Sequence, residues 1–154
     1  MAESVAAWRL QFDVGVYAAV GEMEMIHLLQ AEELQLFAIP QTPFYCSEVL
    51  VWENRIIPVL DVLSWLEEYR VPRTYPIIGI FRYRTGESTE IEYGALAMES
   101  IPERISVNDD QASELPRIPR GWRQLALSCI QHEEQLIPIL DLPQLFSGAL
   151  RAAR

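Results

Sequence analysis

The sequence predicts a mainly β protein with a few short helices, and two observations carry that expectation. One is a repeated hairpin: Ile56-Ile-Pro-Val-Leu-Asp61 returns as Leu136-Ile-Pro-Ile-Leu-Asp141, identical at four of six positions, at an offset of 137 − 57 = 80 residues. The other is that β-branched and aromatic runs broken by Gly, Pro, Asn and Asp dominate the chain, without the strand–helix–strand rhythm of a parallel α/β sheet. A unit of that length occurring twice is a duplicated half-domain rather than a solenoid repeat.

Each copy reads as strand, tight turn, strand and short helix. The register holds in both directions, since Val49-Leu-Val-Trp52 faces Cys129-Ile-Gln-His132 and Leu63-Ser-Trp-Leu66 faces Pro143-Gln-Leu-Phe146. The first turn is centred on Glu53-Asn54, where asparagine tolerates the positive φ of a two-residue hairpin turn. Pro58 and Pro138 cannot donate to a ladder, so their strands are expected at a sheet edge or ending nearby. Asp61 and Asp141 stand where a carboxylate caps the helix that follows, and Pro143 suits a first helical turn. A chance likeness between two apolar hairpins is the alternative reading.

Elsewhere, Trp8–Asp13 and Gly15–Val20 form an N-terminal hairpin. Gly21–Leu29, with Met23, Met25, Ile26 and Leu29, reads as an amphipathic helix, its methionines serving either the core or a binding face. Residues 38–47, with two prolines, make an extended connector. Tyr75–Arg84 and Thr89–Met98 are two strands joined through Thr85-Gly86-Glu87-Ser88. Asn108-Asp109-Asp110 lacks the alternate ligands and closing glutamate of a calcium loop and reads as a turn or cap.

Composition excludes several function classes. All 12 basic residues are arginine, and 22 acidic residues bring the net charge to −10, so a nucleic-acid partner is not expected. The cluster Arg117, Arg120 and Arg123 is broken by prolines and reads as a solvated loop. Without lysine there is neither Schiff-base chemistry nor a P-loop grip. No apolar run reaches the ~18 residues of a membrane span and no basic leader precedes one. The expectation is a cytoplasmic protein without membrane insertion. Cys46 and Cys129 are isolated and expected to be buried thiols.

No catalytic residue, metal ligand set or cofactor site is expected. His27 and His132 lack partners at ligand spacing, and His132-Glu133-Glu134 falls in the second hairpin turn. Asp61 and Asp141 would serve as a hydrolytic acid/base pair only if both faced one cleft; helix capping explains them without it.

The Ile57-Pro-Val-Leu-Asp61 strand end, the Tyr17-Ala-Ala-Val20 segment, the central hairpin over 73–99 and Gln135-Leu-Ile-Pro-Ile-Leu-Asp-Leu142 together resemble the CheW-like family of chemotaxis coupling proteins. The resemblance implies two five-stranded β-barrel subdomains around a shared core, forming one domain over residues 7–150 with the repeats near 48–66 and 128–146. It implies no catalysis, and as partners the regulatory domain of a CheA-like histidine kinase, chemoreceptor tips, or other CheW-like proteins. The protein-binding surface is expected around Val51, Trp52, Glu53, Asn54, Arg55, Ile57, His132 and Glu133. Trp52 is either an exposed anchor or a residue packed beside the turn.

Where the family turn has Leu-Arg-Gly, this chain has Trp52-Glu53-Asn54. A guanidinium capable of bidentate pairing becomes a carboxylate, which would repel an acidic partner. That departure points to a divergent or auxiliary member, in a type IV pilus or alternative chemosensory array. The runner-up reading is a small-molecule-binding β-barrel regulator, which requires an apolar cavity.

Overall fold

The computed structural model describes residues 3–86, 88–148 and 150. In chain order its strands are β1 (Val5–Asp13), β2 (Val16–Gly21), β3 (Met25–Gln30), β4 (Phe37–Ala38), β5 (Glu48–Trp52) and β6 (Arg55–Leu60). These are followed by α1 (Val62–Glu67), β7 (Ile77–Tyr83), β8 (Glu92–Met98), β9 (Glu103–Val107) and β10 (Ala112–Ser113). The chain continues through α2 (Trp122–Leu125), β11 (Ala126–His132), β12 (Gln135–Leu140) and α3 (Leu142–Phe146).

Two six-stranded sheets result, in the orders β10-β11-β12-β2-β1-β9 and β4-β5-β6-β8-β7-β3. Each has one strand more than the five the resemblance implied, namely the two-residue β10 or β4. The sheets correspond strand for strand: a hairpin carries the Ile-Pro strand, that strand meets its next neighbour in parallel (β12 with β2, β6 with β8), and the other pairs are antiparallel. The N-terminal hairpin β1–β2 thus supplies the sheet that the chain completes only with β9–β12, and the β3–β8 sheet is built in between.

Both repeated hairpins close through two residues with positive φ, Glu53 (49°) and Asn54 (64°) in the first and Glu133 (50°) and Glu134 (67°) in the second. Two left-handed residues match the twist of the flanking strands, although glutamate is less at ease there than asparagine. Each strand ends two residues after its proline, at Leu60 and Leu140, the second of the two expected arrangements. Both strands lie inside their sheets, yet Pro58 pairs with Val49 just before β8 joins at Val59, and Pro138 pairs with Cys129 just before β2 joins at Ile139. The side of each strand away from its hairpin partner is still unpaired at the proline, so the missing N–H breaks no bond there.

The helix expected over Gly21–Leu29 is absent. Glu24 turns the chain, its Oε1 accepting from the Gly21 N–H at 2.7 Å, and Met25–Gln30 then pairs with β7. A nine-residue stretch is too short to hold a helix without packing to support it, whereas a strand beside β7 satisfies its backbone at once. Met23 is exposed in the turn while Met25 packs on the core, so the methionines form no stripe. Residues 38–47 are not an extended connector: after β4 the chain turns twice, with Thr42 Oγ1 donating to the Ile39 carbonyl and the Cys46 N–H to that of Pro43. The third short helix is α2, at the end of the arginine–proline loop, where Trp122 and Leu125 are buried.

Both expected caps are present. Asp61 accepts from the Ser64 N–H (3.0 Å), the Ser64 hydroxyl (2.8 Å) and the Tyr75 hydroxyl (3.1 Å), while Asp141 accepts from the Gln144 N–H at 3.3 Å. Burial, then the Asp61 charge, pushes the Tyr75 pKa up, so the phenol stays a donor. Leu10, Phe12 and Val20 of the first sheet meet Leu60, Trp65, Phe81 and Met98 of the second half in one core. Cys129 is buried and Cys46 half-buried, its thiol pushed up to about 11 by desolvation.

The capping geometry predicts unequal losses. Replacing a carboxylate cap by alanine costs about 1 kcal/mol, and further buried hydrogen bonds add to that. Asp61→Ala should therefore lower urea-unfolding stability by about 2–3 kcal/mol and Asp141→Ala by about 1 kcal/mol; equal losses would contradict this account.

Candidate docking surface at the hairpin end

Alternation along β5 and β6 sorts their side chains onto two faces. Leu50 and Ile57 point inward and are buried. Trp52 and Arg55, directly opposite each other next to the turn, continue that inward side. There Trp52 lies 5.7 Å from the Tyr93 ring of β8 and 5.9 Å from the His27 ring of β3, and the Arg55 guanidinium sits 4.7 Å above Tyr93. Four strands are thereby tied across the end of the sheet by aromatic and cation–π contacts.

The opposite face is apolar and open. Val51 and Ile56 pair across the hairpin and are 56% and 74% exposed; in the next row Phe37, Val49 and Pro58 line up across β4, β5 and β6. Glu53 and Asn54 cap one end of this strip, both exposed. A contiguous apolar strip with a polar rim is the usual makeup of a modest protein interface.

The residues expected from sequence therefore separate. Val51 lies in the strip, and Glu53 and Asn54 form its rim. Trp52 is half-buried and packs beside the turn, so it braces the site instead of projecting from it. Ile57 requires a correction: at 1% exposure it belongs to the interior and cannot touch a partner. Its neighbour Ile56 takes that place, and Phe37, His27 and Tyr93 were not anticipated. His132 and Glu133 lie on the other sheet, where His132 Nδ1 is 3.3 Å from Gln111 Nε2 and its Nε2 is 3.8 Å from Glu133 Oε1. They belong to a second surface, in which Gln131 and Leu136 replace the Val51–Ile56 pair.

Asp61 and Asp141 each cap their own helix in different halves, so they form no shared acid/base cleft. Among the described residues no three His, Cys, Asp or Glu side chains converge as a metal site, and no helix is long and apolar enough to cross a membrane.

Such a structure defines a class, a duplicated two-sheet β module offering a hairpin surface in each half. The chain belongs to the CheW-like domain family, whose model matches residues 23–150. Its fold is similar to that of the scaffolding protein TtCheW from Thermoanaerobacter tengcongensis, with a TM-score of 0.70 at 14% identity over 94% of this chain and 88% of that one. No curated protein sequence matches it. The β1–β2 hairpin lies before the matched stretch, although the fold incorporates it fully.

Packing and exposure give opposite expectations for two neighbours. Trp52→Ala should cost about 3 kcal/mol through lost ring contacts and a cavity, whereas Ile56→Ser should stay within about 0.5 kcal/mol of the parent. Chemical denaturation of both variants decides it, and a large loss at Ile56 would mean the strip is packed rather than presented.

Proposed function

We propose that this protein is a non-enzymatic adaptor of bacterial chemosensory signalling, coupling receptors to a CheA-like histidine kinase or joining an array through other CheW-like domains. Family membership supports the general role, and the similar TtCheW fold is that of a protein described as scaffolding. The observation that carries the reading is the exposed Phe37–Val51–Ile56 strip beside the Glu53-Asn54 turn. In this reading residues 7–150 act as one domain, working in the cytoplasm and recruited to a receptor array.

Glu53 sets the charge of the rim. A rim charge governs encounter and partner choice more than affinity, so the surface opposite Glu53 is expected to be basic. That requirement favours an auxiliary pathway, such as a type IV pilus or alternative array, over an ordinary receptor tip.

The test is co-migration and calorimetry of the full chain with the cognate kinase regulatory domain and cognate CheW-like proteins. Binding should occur at tens of micromolar or tighter, and Ile56→Asp should weaken it at least about tenfold, as expected for a charge placed in an apolar contact. Glu53→Arg should slow association with the true partner. Absence of binding to every such partner, or full binding by Ile56→Asp, contradicts the proposal.

A further inference from the structure

The β3–β8 half is closed differently at its two ends. At the turn end the Trp52, Tyr93 and Arg55 contacts lie across the sheet. At the other end, where β5 begins and β3, β6 and β8 finish, the strand ends, the segment leading into β5 and the loop between α1 and β7 line a half-open cleft of about 900 Å³. That volume lies within the range of about 300–1,000 Å³ found for small-molecule sites, and the mouths of β-barrels are a preferred place for them.

Its walls are mixed, somewhat more apolar than polar, with Val59, Ile78 and Ala97 from the strands and the rings of Phe44, Tyr45 and Tyr75. Phe44 and Tyr45 meet edge to face at 5.2 Å. The charged groups on the lining are Glu32, Glu48, Asp61, Arg70 and Arg73. Arg73 is already committed, pairing with Asp13 at 2.9 Å and with Glu99. Asp61 is held by its cap and by Tyr75. Arg70 is exposed at the mouth. Among the described residues, Glu32 and the half-buried Glu48 have no ion-pair partner.

The site is therefore a cleft of mixed polarity with aromatic walls and uncommitted carboxylates, in a chain whose net charge is −10. A field of that sign concentrates cations, and aromatic faces add attraction for an ammonium group. An anion would find Arg70 alone to oppose the carboxylates. We infer that this cavity binds a small amphipathic organic cation, its apolar or aromatic body against Leu34, Val59 and Val71 and its ammonium group near Glu48 and Glu32. The inference goes beyond the adaptor reading and does not rest on it, because the cavity lies at the opposite end of β5 and β6 from the Glu53-Asn54 turn.

The experiment titrates the full chain with 4-phenylbutylamine, and in parallel with 4-phenylbutanol and 4-phenylbutyrate, by calorimetry and amide chemical-shift mapping. The amine should saturate with a Kd of about 1 mM or tighter, moving amides of Leu34, Val71 and Ala97 and not those of the 53–54 turn. The alcohol should bind more weakly and the carboxylate most weakly. Glu48→Gln should weaken the amine about threefold, the scale of a partly exposed ion pair, while leaving its affinity order among the three probes compressed and the thermal midpoint unchanged. Carboxylate binding as tight as the amine's, shifts mapping elsewhere, or no saturation by about 10 mM would overturn the inference. Partner co-migration is read without these probes, so failure here and failure of the adaptor reading are separate results.

Discussion

One layer of side chains holds this molecule together. Leu10 and Phe12 from β1, Ala18 and Val20 from β2, Trp65 from α1, Met98 from β8 and Trp122 from α2 all belong to the same buried cluster. They come from segments spread over more than a hundred positions, so none of the pieces can bury its apolar face without the others. At roughly 2 kcal/mol for each large side chain removed from water, this layer outweighs any single hydrogen bond or cap. Trp65 also donates its indole N–H to the Gly121 carbonyl at 3.0 Å, and a β-carbon at Gly121 would lie 2.8 Å from that nitrogen. The contact ties the helix of one repeat to the loop entering the other, and it needs glycine there.

The interlocking follows from chain order. The first hairpin pairs with a sheet whose other strands arrive only at the end of the chain, with β2 meeting β12 and β1 meeting β9. The proposed docking surface has rigid backing on such a frame. The Val51–Ile56 strip stands on strands fixed from beneath by Leu50 and Ile57 and at the end by Trp52, Tyr93 and Arg55. The cavity is the complement of this arrangement, lying where the strands give way to loops.

What was legible in the sequence was local. Positive φ at Glu53-Asn54, the Asp61 and Asp141 caps, and the strands about each Ile-Pro pair depend on residues a few positions apart, and the 80-residue offset made each copy support the other. Where the sequence misled, a distant partner decided. Met25–Gln30 is as compatible with a helix as with a strand until β7 lies beside it. The repeat held the missing signal, since 25 + 80 = 105 sets Met25 opposite Ile105 within the strand-like Glu103–Val107. Ile56 and Ile57 are the same residue type, and a shift of one position reverses the face each presents. No local pattern separates them, but the burial of Leu50 opposite Ile57 does. The cavity was beyond reach because its walls come from loops whose positions depend on the whole fold.

Native-state hydrogen exchange of the full chain tests the central claim most directly. If the two halves share one indispensable interior, the slowest amides of β1–β2, β6 and β12 should all exchange through the same global opening and converge on one free energy. Exchange of β1–β2 through a separate opening at much lower free energy, with β3–β8 still protected, would show that the first hairpin is an appendage and that the account of an interlocked core is wrong.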